Sequence, residues 1–136
     1  MLILDENVID DERQELLRRG LKVRQVGHEI GKKGTSDPDV RRLLQRLPQP
    51  TLITRDQGFF DRRFCHRRYC IIVFVVEENE LADFTVRILR HRAFASRSQR
   101  MGKVIQVSPA VIQVYELGHR TEYLQMWRSR GRRDRD

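Results

Sequence analysis

The sequence predicts an α/β fold in which helices cover both faces of a mostly parallel central sheet. Three observations predict it. YCIIVFVV, residues 69–76, is a continuous β-branched and aromatic run, the pattern of a central strand buried on both sides. Short apolar segments alternate with amphipathic helical ones along the chain, the order that builds parallel sheets through crossover connections. The 136 residues, 39% hydrophobic and 34% charged, are the size and polarity of one globular core.

The elements follow in order. LIL, residues 2–4, is a strand that ends on two adjacent carboxylates, Asp5 and Glu6. DDERQELLRRG carries acids in its first turn, arginines in its last and Gly20 as a stop, a helix complemented at both dipole ends. LKVRQV alternates with period two and reads as a strand; the glycine-rich GHEIGKKGTS after it reads as a loop. SDPDVRRLLQRL opens a second helix, with Asp37 as the expected N-cap, Pro38 at the first helical position and Val40, Leu43, Leu44 and Leu47 on one face. TLIT, residues 51–54, is the third strand and runs into Arg55 and Asp56. QGFFDRRF is a short helix or turn. ELADFTVRILRHRAFA is expected to be one amphipathic helix, and KVIQVSPAVIQVYEL two strands around a Ser-Pro turn. HRTEYLQMWRSRG is expected to dock as a helix through Tyr123, Leu124 and Trp127, before a frayed charged tail, RRDRD.

Composition narrows the partners. Lys and Arg number 27 against 19 Asp and Glu, a formal charge of +8. An excess made mostly of arginine favours a polyanion, because guanidinium matches phosphate and displaces condensed counterions. Nucleic acid leads, and an acidic protein comes second. No apolar run is long enough to span a bilayer, and the opening lacks the features of a secretion signal, so no membrane is expected and the expected location is cytoplasmic. Cys65 and Cys70 have no second Cys or His pair to complete a structural zinc site and read as reduced thiols.

In open parallel sheets the site lies beyond the carboxyl ends of the strands. Asp5 and Glu6 end the first strand, Asp56 ends the third, and a right-handed crossover brings Asp37 to the same rim. Converging carboxylates repel, and a bound divalent cation resolves the repulsion. Oxygen ligands of this kind suit Mg²⁺ or Mn²⁺ and phosphoryl-transfer or hydrolytic chemistry. Asp37 has a capping role open to it as well, and Glu6 a turn-forming one. Asp61 either reaches the rim or faces solvent. Arg55, Arg62, Arg63, Arg87, Arg90 and Arg92 are candidate contacts to a nucleic-acid backbone, the last three lying in a stretch without acids between Asp83 and Glu116.

The motifs LILDEN, SD at the second helix and TRD before a Phe-containing segment, in this order and spacing, resemble those of the small PIN-like proteins. These are a branch of the PIN-domain nuclease superfamily related to VapC-type toxins. The likeness covers residues 1 to about 107. It implies an α/β/α sandwich, with a PIN-like domain over residues 1–118 and a C-terminal helix and basic tail over 119–136. It implies an endoribonuclease dependent on Mg²⁺ or Mn²⁺, with Asp5, Asp37 and Asp56 as acidic ligands, Glu6 and Asn7 beside them, and Ser36 and Thr54 as polar supports. It also implies a small antitoxin as partner, with the tail serving that contact or a homodimer. One position departs: the family often has an acid where this chain has Gly58, so Asp61 must substitute or the metal site is weaker. Two other readings stand beside it. One is a receiver-like domain phosphorylated on Asp56, which lacks the Ser or Thr and the Lys expected after its fourth and fifth strands. The other is a non-catalytic RNA-binding protein.

Overall fold

The computed structural model describes residues 1–127. Its elements are β1 (Leu2–Leu4), α1 (Asp10–Arg18), β2 (Val23–Gln25), α2 (Asp37–Gln45), β3 (Thr51–Thr54), two 3₁₀ turns (Gln57–Phe59 and Arg62–Phe64), β4 (Cys70–Phe74), α3 (Leu81–Arg90), α4 (Arg97–Arg100), β5 (Lys103–Val107), β6 (Ile112–Glu116) and β7 (Tyr123–Gln125). They form one seven-stranded sheet in the order β2-β1-β3-β4-β5-β6-β7. The first five strands are parallel, and β6 and β7 are antiparallel additions.

Strand alternation builds the two faces. Leu4, Ile53, Ile72 and Ile105 point to one side, where Leu16 of α1 and Leu81, Phe84 and Ile88 of α3 cover them. Ile3, Leu52, Ile71 and Val104 point to the other, under Val40 and Leu44 of α2 and Phe59 of the first 3₁₀ turn. β4 is buried along its whole length, as expected of a strand covered on both faces. The α/β expectation with a mostly parallel sheet is borne out.

The strands after β1 and β3 leave in opposite directions, so β1 and β3 flank a topological switch point. The β3–β4 and β4–β5 connections advance the same way across the sheet but lie on opposite faces. They are therefore of opposite hand, and one of them is of the rare left-handed kind. The consequence is that α3 lies beside α1.

Three expectations are corrected. Ser36, not Asp37, caps α2, accepting from the Asp39 amide at 3.4 Å; this places Asp37 at the first helical position and Pro38 one residue later. The long helix expected from ELADFTVRILRHRAFA ends at Arg90, and Ser96 and Gln99 form a capping box that starts the short α4. The segment expected to dock as a helix is strand β7 instead: Tyr123 pairs with Val114 of β6, and that pairing outweighs helical spacing. Trp127 does dock, against Phe84 with ring centroids 5.4 Å apart, and its indole donates to the Ser108 carbonyl at 2.7 Å. The tail RRDRD lies outside the described residues. No helix among the described residues is long and apolar enough to cross a membrane.

Candidate active site

The site begins where β1 ends. Asp5 is 7% exposed. One of its carboxylate oxygens accepts from the Glu6 amide at 2.8 Å and the other from the Thr54 hydroxyl at 2.7 Å. The same Thr54 oxygen accepts from the Asp56 amide at 3.0 Å. One buried hydroxyl at the end of β3 thus ties both strand ends together, across the switch point.

Burial pushes the Asp5 carboxyl above the usual carboxylate range, and the charges of Asp37 and Asp56 push the same way, while the bonds from Thr54 and Glu6 oppose them. Asp37 and Asp56 are therefore close enough to act on Asp5 through the field. Asp37, freed of the capping role by Ser36, is exposed and makes no side-chain hydrogen bond among the described residues. Asp56 is exposed, and its Oδ1 accepts from the Gly58 amide at 2.8 Å, capping the first 3₁₀ turn.

The carboxylate of Glu6 accepts the Gly34 amide at 2.8 and 3.0 Å. It pins the glycine loop that leads into α2, so it positions the Asp37 segment. Asn7 is exposed and lines a cleft of about 330 Å³ with Ile9, Glu12, Arg55 and Glu78.

Other sequence candidates stand elsewhere. Asp61 does not join the rim: it is paired with Arg63 at 2.7 Å, which holds its carboxyl down at about 2. It lines a cleft with Tyr115 and Arg120, and Tyr115 pairs with Val104 near the start of β5. Arg55 is committed inward: its guanidinium grips buried Glu12 and donates to the carbonyls of Val76, Glu77 and Glu78. Its expected role as a nucleic-acid contact is replaced by a clamp between β3, α1 and the loop after β4. Arg62 donates to the Arg120 carbonyl and Arg63 is taken by Asp61. Arg87 packs over both Phe84 and Trp127, 4.6 and 4.4 Å from the ring centres. Arg90 and Arg92 are exposed at the end of α3 and just after it. The expected picture of an acidic centre flanked by these arginines is therefore not what the fold builds.

Four residues escaped the sequence reading. Buried Gln25 donates to the carbonyls of Asp5 and Val8 at 3.0 and 2.8 Å and shapes the turn after β1. Glu12, 5% exposed, is paired to a residue 43 positions away. Lys32 and Lys33 are exposed in the loop after β2, next to the Gly34 amide that Glu6 holds. Only the loop's position after a parallel strand, at the carboxyl edge, could have pointed to them. Cys65 is half-buried and Cys70 buried, and both are free thiols; burial pushes the Cys70 thiol up to about 12.

The donor set at the rim is carboxylate oxygen, which suits a hard divalent cation. Among the described residues no group of three His, Cys, Asp or Glu stands close enough together to hold an ion at once. Ligation here would involve one or two carboxylates with water, the usual manner of Mg²⁺. Comparison with family models, curated proteins and solved structures returns no match.

Proposed function

We propose that the protein is a divalent-metal-dependent endoribonuclease of the PIN-like type, with its acidic centre at Asp5, Asp37 and Asp56. One observation carries the reading. A buried carboxylate at a switch point, under the field of two further carboxylates, has no cationic side chain paired with it among the described residues. Such an arrangement is costly unless a cation balances it during function.

Mg²⁺ or Mn²⁺, when bound, would supply charge neutralisation at a phosphodiester and acidify the attacking water. The chain's own groups do the rest. Thr54 fixes the orientation of Asp5 and, through the Asp56 amide, the exit of the chain from β3. Glu6 holds the glycine loop so that Asp37 faces the rim. Lys32 and Lys33, exposed on that loop, contact the substrate's phosphates. The resemblance to the toxin-related branch makes a toxin paired with a small antitoxin the natural biological setting.

A receiver-like phosphoacceptor is the second reading, favoured by the 2-1-3-4-5 order of the parallel strands. Against it stand the oppositely handed crossover after β4 and the absence of a Ser or Thr after β4 and of a Lys after β5. The deciding experiment incubates a single-stranded RNA pool with Mn²⁺, with EDTA, and with the Asp56→Asn protein. Cleavage that is lost both with EDTA and in the variant is the expected result. Cleavage that persists in Asp56→Asn, or none by the wild type, overturns the proposal.

A further inference from the structure

The end of the molecule opposite the acids is basic. Topology sets this out: the residues just before each parallel strand gather at the amino edge of the sheet. They include Lys22 before β2, Arg46 before β3, Arg67 and Arg68 before β4, and Arg97 and Lys103 at β5. The turn after antiparallel β6 brings Arg120 to the same edge, because Glu116 pairs with Lys103. The Met1 amine is there too, its pKa pushed down by burial and then by Arg97 and Arg100. Among the described residues, Arg67, Arg68, Arg97 and Arg120 pair with no carboxylate.

A cleft of about 650 Å³ opens beside this edge, lined by Phe60, Asp61, Arg62, Arg63, Tyr115 and Arg120, with Thr121 and Glu122 closing it. The Phe60 and Tyr115 rings lie 4.6 Å apart at 32°. Both are partly exposed and both line the cleft, so the pair offers aromatic surface within a basic one. Of its two acids, Asp61 is paired with Arg63, while Glu122 accepts from the Gln113 amide at 3.2 Å and keeps its charge.

We propose that this cleft and the arginines of the same sheet edge, Arg67, Arg68 and Arg120, bind single-stranded nucleic acid. A base stacks on Phe60 and Tyr115, and the flanking phosphates lie on the arginines. The combination of a π platform with unpartnered guanidinium groups is what single strands need, since every base has a stacking face and every linkage a charge. A duplex hides its bases, and an anionic membrane has none to stack. The surface is separate from the acidic rim; the choice of RNA over DNA as the probe rests on the nuclease reading.

The test measures binding of a labelled oligouridine of about ten nucleotides by fluorescence anisotropy in EDTA, so that cleavage plays no part. The wild type should bind with strong salt dependence. Arg67→Ala/Arg68→Ala/Arg120→Ala should lose at least tenfold in affinity, and its salt slope should fall by about two. Tyr115→Leu, which keeps an apolar side chain, should weaken binding about tenfold with the slope unchanged. Asp5→Asn should bind as the wild type does, which separates this site from the nuclease centre. The proposal is overturned by absent binding, by unchanged affinity and slope in the triple variant, or by a Tyr115→Leu protein that binds normally. Heparin, which has no bases to stack, should also bind and should not respond to Tyr115→Leu; an RNA affinity that likewise does not respond means a nonspecific polyanion patch and overturns the proposal.

Discussion

The two edges of the sheet carry opposite charge, and they handle that charge differently. At the carboxyl edge the acids are built in: Asp5 is buried with both oxygens bonded, Glu6 is tied to Gly34, and Glu12 is locked to Arg55. At the amino edge one cation is built in. Arg100, 4% exposed, donates to the Thr51 hydroxyl at 3.0 Å and the Phe94 carbonyl at 2.9 Å without any acid. The other arginines there stand in solvent. Part of the segregation is helix physics, since α1, α2 and α3 each carry acids in the first turn and arginine in the last, matching their macrodipoles. The dipole does not require that an acid be buried, nor that an edge hold many unpaired arginines. Those two excesses are where function is to be sought, chemistry at one edge and grip at the other.

The sharpest break of this comparison is Asp5→Asn. It should lower Mn²⁺-dependent RNA cleavage by about a hundredfold or more, yet leave Tm at neutral pH undiminished, because removing a disfavoured charge offsets the loss of one of the two acceptors that bond Glu6 and Thr54. A parallel loss of activity and Tm would mean that Asp5 is a structural residue. Next is Arg100→Ala, which strands the Phe94 carbonyl and Thr51 and should cost about 2–4 kcal/mol in urea unfolding. A smaller value would show that the amino edge does not depend on its one buried cation.

The pH dependence separates the edges further. Asp5 has its folded pKa raised, so the native state binds its proton more readily than the unfolded chain does. Its penalty is absent below the unfolded carboxylate value and grows as pH rises through the folded one. The stability of wild type relative to Asp5→Asn should therefore fall with rising pH across that window, measured by denaturant unfolding at a series of pH values. A flat difference would place the Asp5 carboxylate in an environment no worse than water.

Gly58→Asp tests the departure from the PIN-like pattern. A Cβ there would approach Asp56 Oδ1 at 3.1 Å, so the variant should be destabilised by about 1 kcal/mol without metal. With Mn²⁺ it should gain more in Tm than wild type does; equal gains would mean that the added acid does not join the centre. The smallest effect is Arg87→Ala, where the loss of stacking on Phe84 and Trp127 should cost about 1 kcal/mol. RNA binding should be unaffected, because this arginine serves packing.

Much of this was legible in the residues. The run around Cys70–Phe74 could only be a doubly covered strand, and Ser36-Asp37-Pro38 marked a helix start to within one position. LILDEN and TRD placed acids at strand ends. The segment Tyr123–Gln125 was misread because Tyr123, Leu124 and Trp127 suit a helix as well as a strand, and the deciding bonds come from β6. Arg55 was misread because a lone arginine beside acids looks like a phosphate contact until Glu12 and three carbonyls are found around it.

What the sequence determined by itself is periodicity: which segments are strands or helices, which end on acids, and that arginine is in excess. These are local properties, written in the spacing of side chains along one backbone. Tertiary structure alone decided which charges meet. Asp5 and Thr54 are 49 residues apart, Arg55 and Glu12 are 43 apart, and only the strand order brings them within bonding distance. The same order sends the strand-end acids to one edge and the strand-start arginines to the other, because parallel strands align all their carboxyl ends.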